Sequence, residues 1–249
     1  MKTSAKLVVA IIAAAVITSP SLPAQGPGQG GGRGPGPGGG PGARLCSVPS
    51  LLLSLPIEPL SGPERRFLLY VREEEKLARD VYLSLYETWN RKVFLKIARS
   101  EKGHMDWIKV LIDRYELPDP VASHGLGTFE NRGFQELYRE LVILGSDSLI
   151  TALEIGAMIE EKNIYDLMVK GLRRADNQDL RALYLNLAKG SRNHLRTFHR
   201  LLDARGVVYE PEWLSDETYF GIVSTPIEKG IVDLEGEWIC GGRRQGRID

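Results

Sequence analysis

Four stretches of the chain repeat apolar residues three and four positions apart, the spacing that lines one face of an α-helix. The first carries Leu68, Val71, Glu75, Ala78, Tyr82, Leu85 and Trp89 on one stripe. It opens at Ser61-Gly62-Pro63-Glu64, where the serine can cap the helix and the glutamate can complete a capping box. The second, Arg91 to Glu116, aligns Phe94, Ile97, Glu101, His104, Ile108, Leu111 and Tyr115 and is stopped by Pro118 and Pro120. A connection of about 25 residues follows, with His124, Gly125, Gly127 and a short helical piece near Phe134 to Leu144. A third helix is predicted after Gly145-Ser146-Asp147, with Ile150, Glu154, Ala157 and Glu161 on a common face and a break near Asn163 before Leu167 to Leu172. The fourth runs from about Asp176 to Arg205 with Leu180, Leu183, Leu187, Ser191, His194, Phe198 and Leu201 inward, and Gly206 stands where a C-terminal cap belongs. No alternating strand pattern interrupts these stretches. The expected fold is all-α: an antiparallel four-helix bundle with one long crossover between helices 2 and 3.

Composition changes the picture at the ends. The 249 residues include 27 Gly and 14 Pro, and the run from Gly26 to Ala43 is almost wholly these two. It lacks a strict Gly-X-Y register, which excludes collagen, and reads as a flexible tether over 25–57. Ahead of it, Lys2 and Lys6 precede the eleven-residue apolar run Leu7 to Ile17 and the small residues up to Ala24. A bilayer span takes about 20 residues, so 1–24 is expected to be a cleaved signal peptide. The protein is then expected to be exported, periplasmic or extracellular, with no stable membrane insertion after cleavage. The bundle is assigned to 58–206 and a C-terminal extension to 207–249, where Trp213, Tyr219 and Trp238 either pack along the bundle or recognise something else.

Losing Lys2 and Lys6 leaves 30 basic residues against 32 acidic, a net charge of −2. Without a basic stripe, nucleic acid is not an expected partner. Cys46 and Cys240 are too far apart in sequence for the usual zinc spacings. A disulfide between them and a pair of free thiols both stay open.

The chemistry lies in the polar residues on the inward stripes. A buried carboxylate without a partner is driven to stay protonated, so Glu75, Glu101, His104, Glu154 and His194 among Leu, Ile, Phe and Ala require an explanation. A metal centre supplies one, because a cation neutralises several carboxylates and accepts the lone pairs of neutral imidazoles. Glu101-Lys102-Gly103-His104 is an E-x-x-H, which presents both ligand types on one helix face. Alone it is a weak signal. Together with carboxylates on the first and third helices and a histidine on the fourth, it matches the ligand plan of carboxylate-bridged metal sites in helix bundles.

The segment Glu75 to Leu85 (EKLARDVYLSL) resembles the first helix of ferritins, including the metal-binding Glu and the Tyr seven residues later. Ser100-Glu101-Lys102-Gly103-His104 resembles their second-helix E-x-x-H, and Ala152-Leu153-Glu154 their third-helix Glu segment. Ser191-Arg192-Asn193-His194 stands where bacterioferritin-like and rubrerythrin-like proteins carry a second E-x-x-H. Over about residues 58–220 the wording is similar to an uncharacterised ferritin-like family, domain of unknown function 2202.

The resemblance implies a metal site of Glu75, Glu101, His104, Glu154 and His194, with iron the expected metal and manganese or zinc as competitors. It also implies ferroxidase or oxidoreductase-type activity. It departs from the family plan at Ser191, where a carboxylate is wanted. Either Glu161 substitutes, or one metal binds, or a second binds weakly with water filling the gap. Asp80 and Asn193 are candidate supporting partners of the ligands, and Tyr82 is read as core first and redox partner second. A metal-free structural or interaction module, non-catalytic metal sequestration, and assembly as a homo-oligomer stay open.

Overall fold

The computed structural model describes residues 47–240, except for the side chain of Cys240. The expected signal peptide, the Gly/Pro tract, Cys46 and the Cys240 thiol lie outside the described residues. Part of the stretch assigned to the tether is ordered: Val48–Ser54 forms helix α1, capped by the Ser47 hydroxyl on Ser50 N–H. Val48, Leu51 and Leu52 are buried, and Arg114 closes the far end by donating to the carbonyls of Leu52 and Leu55 at 2.5 and 2.7 Å.

Among the described residues the regular structure is helical apart from one small two-stranded ribbon. Helix α2 (Gly62–Trp89) begins with the expected reciprocal capping box between Ser61 and Glu64 and ends at Asn90 in the left-handed conformation, φ 47°. That turn sends the chain straight back as α3 (Lys92–Arg114). After the crossover come α4 (Arg132–Gly145) and, through a short link, α5 (Leu149–Tyr165), capped by Ser148 on Thr151 N–H. Helix α6 (Gln178–Asp203) follows, with Gly206 at φ 68° just past its end. Helix α2 packs on α3, α3 on α6, α6 on α5 and α5 on α2, while α4 covers α2 and α5 from outside.

Contacts with α4, α5 and the crossover explain an otherwise improbable burial. Glu73, Glu74, Glu75 and Lys76 are all buried, although consecutive charges on a helix normally include a solvated side. Each outward member has its own partner. Glu73 accepts from Asn131 N–H at 3.0 Å, Glu74 meets Lys162 at 3.2 Å, and Lys76 pairs with Asp80. Lys76 also donates to the Gly125 carbonyl at 2.8 Å, and Asp80 accepts from Gly127 N–H at 2.9 Å, so this pair ties the crossover down.

The expected break near Asn163 takes another form. Helix α5 runs on to Tyr165 and widens into a π-helical segment, Asp166–Gly171, followed by the short helical turn Leu172–Arg174. No helix of the described residues is long and apolar enough to cross a membrane.

The extension packs back on the helices. Glu161, fully buried, accepts from the backbone N–H groups of Glu212, Trp213 and Leu214 at 2.8, 2.6 and 2.8 Å and from the Tyr209 hydroxyl at 2.7 Å. Beyond it lies α7 (Asp216–Val223). Glu228 then meets Arg192 and Arg196 at 2.6 and 2.9 Å, and β1 (Ile231–Val232) pairs antiparallel with β2 (Trp238–Cys240).

Removing one acceptor that satisfies four donors strands them all. Glu161→Ala is therefore expected to cost about 2–5 kcal/mol. Denaturant unfolding measures the loss, and amide exchange at 212–214 should accelerate ahead of the helices. Unchanged stability would contradict the anchoring role.

Candidate metal centre

The core divides into two apolar clusters. One contains Val81, Tyr82, Phe94, Leu153 and Phe198, and the other Leu68, Ile108, Leu111, Leu180 and Leu187. Along α2, α3 and α6 the residues between the two clusters include Glu75, Glu101 with His104, and His194, and α5 adds Glu160. All five are buried. A polar layer thus crosses the interior where apolar packing would otherwise continue.

The layer is built around Glu101. Its Oε2 lies 2.7 Å from His104 Nδ1, and its Oε1 lies 2.8 Å from His194 Nδ1. Glu75 Oε2 approaches His104 Nδ1 at 3.1 Å, and Glu160 Oε2 approaches His194 Nδ1 at 3.4 Å. Of these contacts only that between Glu75 and His104 is a hydrogen bond. Both Glu101 oxygens, Glu160 Oε2 and His194 Nδ1 are close to their neighbours but misaligned, and remain buried without a hydrogen-bond partner. Buried polar atoms are otherwise almost always satisfied, so four orphans facing one another mark a place made for something else. One potential ligand atom from each of Glu75, Glu101 and His104 falls within 4.8 Å of the others, and the same holds for Glu101, Glu160 and His194. Glu101 belongs to both triads.

Neighbouring residues hold these side chains in orientation. Glu101 and His104 share a face of α3 through their i, i+3 spacing. Ser100 Oγ lies 3.0 Å from His194 Nε2, which leaves Nδ1 for the centre. Tyr82 donates to Glu160 Oε1 at 2.6 Å and so leaves Oε2 for the centre. His104 rests against the Trp107 ring, centroids 5.1 Å apart, and against the backbone of α6 at Gly190, where an added Cβ would stand 2.5 Å from its Cε1.

Without a metal, protons balance the charges. Burial alone would raise the Glu101 carboxyl, but His194 and His104 on either side carry it well below the usual carboxylate range. Burial opposes protonation of His104, yet Glu101 and Glu75 push it up to about 10, and His194 is likewise raised by Glu101 and Glu160. Glu75 is raised by burial, and Glu160 is pushed up to about 7 by burial and by the Glu101 charge.

Of the residues expected at the site, the structure brings Glu75, Glu101, His104 and His194 together. It does not bring in Glu154 or Glu161. Glu154 is half-buried at the rim of α5, burial raises its carboxyl, and Glu160 takes its expected place in the cluster. Glu161 points the other way and binds the extension. The expected face of α5 was rotated, since Ile150 is 40% exposed whereas Leu153, Ala157, Glu160, Ile164 and Leu167 are buried. Helix α5 is enclosed on nearly every side from Ile155 to Ile164, so no polar face remains to betray its orientation. The stripe 153, 157, 160, 164 and 167 was nonetheless readable and would have selected Glu160.

Asp80 serves the crossover, and Asn193 holds Glu228 N–H and carbonyl. Neither touches the cluster. Ser191 is fully buried with its hydroxyl unpartnered.

The family model described as an uncharacterized protein domain (DUF2202) matches residues 64–226, a span that holds all five converging residues, and the chain belongs to that family. Uncharacterized protein MJ0754 of Methanocaldococcus jannaschii is 47% identical over 178 residues, 72% of this chain and 96% of that protein. The crystal structure of hypothetical protein MJ0754 from Methanococcus jannaschii is similar with a TM-score of 0.68 and 47% identity, covering 70% of this chain and 99% of that one.

A methyl group at position 190 has no room beside the His104 imidazole. Gly190→Ala is expected to cost about 1–3 kcal/mol and to turn the ring from its place. Thermal unfolding reads the first effect and the His104 NMR resonances the second; a neutral substitution with unmoved resonances would show that the ring is not held there.

Proposed function

We propose that this protein is an exported, ferritin-like antiparallel four-helix bundle that binds iron or a similar divalent metal between Glu75, Glu101, His104, Glu160 and His194, with redox or metal-handling activity. The supporting observation is the set of buried, mutually facing and unsatisfied ligand atoms around Glu101. Three carboxylates and two imidazoles form a donor set suited to iron, manganese or zinc. Export rests on the leader read from Lys2 to Ala24.

In this reading Glu101 is the shared ligand, one oxygen toward each histidine. Glu75 with His104, and Glu160 with His194, complete the two sides. Bound iron would supply one-electron chemistry toward dioxygen or peroxide. The chain supplies orientation and dryness. Ser100 fixes the His194 ring, Tyr82 fixes Glu160, and Phe94, Ile97 and Phe198 form part of the apolar wall beside the layer. The Tyr82 phenol donates its hydrogen bond directly to the Glu160 carboxylate, so it positions that side chain as well as packing in the core.

Ser191 favours a second reading, in which the scaffold persists without metal. Elemental analysis of protein purified without chelator separates the two. The metal reading predicts bound ions and a rise in melting temperature on adding Fe(II), Mn(II) or Zn(II), both abolished in Glu101→Ala. Absence of metal and of stabilisation in the unaltered protein would refute it.

The pH dependence has a definite sign. Glu160, at about 7 against an ordinary 4.5, and His104, at about 10 against 6.5, hold protons more tightly folded than unfolded. Their stabilisation of the metal-free protein is full below the unfolded values and is lost as pH rises through about 7 and then about 10. A metal must displace these protons, so affinity should rise with pH, on the order of tenfold per unit for each proton released. Calorimetry in buffers of different ionisation enthalpy measures the release, and binding with no proton release would contradict the assignment.

A further inference from the structure

The two triads around Glu101 provide three carboxylates in all, Glu75, Glu101 and Glu160, with neutral imidazoles once His104 and His194 act as ligands. Two divalent ions held there would leave one unit of positive charge uncompensated in a buried, low-dielectric layer, which is costly. Nothing described nearby cancels it. Lys162 is itself cationic and occupied by Glu74 and Asp166, Tyr82 is a neutral donor to Glu160, and Asp80 is committed to Lys76 and the crossover.

Helix α6 carries a buried polar side chain that is not otherwise engaged. Ser191 lies one turn before His194 on the same face and adjoins Gly190, whose backbone backs the His104 ring. It therefore shares an α6 turn with His194 and with the Gly190 backbone that backs His104, fully buried, with a hydroxyl that has no hydrogen-bond partner. A serine here differs from a glutamate by about the bulk of a formate ion.

We propose that the position beside Ser191 receives a small carboxylate monoanion from solution, which completes the ligand set of a two-metal centre and accepts a hydrogen bond from Ser191 Oγ. The proposal rests on the metal reading above and adds the class of exogenous ligand. Binding is a ligand exchange: the anion displaces coordinated water, and no electron or proton transfer is required.

Formate titrated into the full chain loaded with Co(II) tests it, with metal counted by elemental analysis and binding read from the visible Co(II) spectrum. The native protein should hold two ions per chain, show a saturable spectral shift, and bind Co(II) more tightly in formate. Ser191→Ala should keep both ions and weaken formate by on the order of tenfold, the effect of one hydrogen bond to a charged acceptor. Ser191→Glu should keep both ions and lose the formate response, because its own carboxylate fills the position. Two ions with no formate response in the native protein would overturn this proposal and leave the metal reading intact. A single ion would also overturn it, since the positive excess then disappears, and no bound ion would overturn both. If Ser191→Glu does not fold, Ser191→Ala decides: formate affinity equal to the native value would remove the hydroxyl from the site.

Discussion

The interior of this protein is organised by one carboxylate, Glu101, that has an imidazole close to each of its oxygens and a proper hydrogen bond to neither. Charge and desolvation set the terms for everything around it. Burying three carboxyl groups among Leu, Ile and Phe is tolerable only if protons or cations arrive with them, and the metal-free protein uses the first means. Glu75 and Glu160 are pushed toward the neutral acid, while His104 and His194 are pushed toward the cation. The same set, stripped of those protons, is a ready donor set for metal ions.

The packing serves this layer in particular ways. Gly190 brings the α6 backbone against His104, Ser100 engages Nε2 of His194, and Tyr82 occupies the outer oxygen of Glu160. Two adjacent residues of α5 divide the labour: Glu160 faces the layer, and Glu161 faces out to gather the backbone of 212–214. The C-terminal extension is thus fastened to the same helix turn that supplies a candidate ligand, and its further ties through Glu228 and Asn186 hold it along α6.

Much of this was legible in the sequence where a helix keeps one wet side. On α2, α3 and α6 the spacing of apolar residues fixed the inward face, and Glu75, Glu101, His104 and His194 fell on it. The caps at Ser61 and Gly206 marked helix ends to within a residue or two. Where a helix is wrapped all round, the periodic signal fades. Helix α5 is the case in point: its spacing puts Glu154 and Glu161 on the expected inward face, whereas Glu160 is the carboxylate that meets the cluster. The burial of Glu73, Glu74 and Lys76 was also out of reach, because it depends on the start of α4, on Lys162 of α5 and on the crossover, which meet α2 only in three dimensions. Helix α1 was hidden for a different reason: its seven residues lie just beyond a Gly/Pro tract whose composition dominates any reading of the region.

The most direct measurement of the central claim is anomalous diffraction from crystals of the iron-loaded protein, collected on both sides of the iron absorption edge. The account predicts iron peaks inside the helices on either side of the Glu101 carboxylate, one beside Glu75 and His104 and the other beside Glu160 and His194. Iron found only at surface carboxylates, with the Glu101 layer holding none, would contradict it.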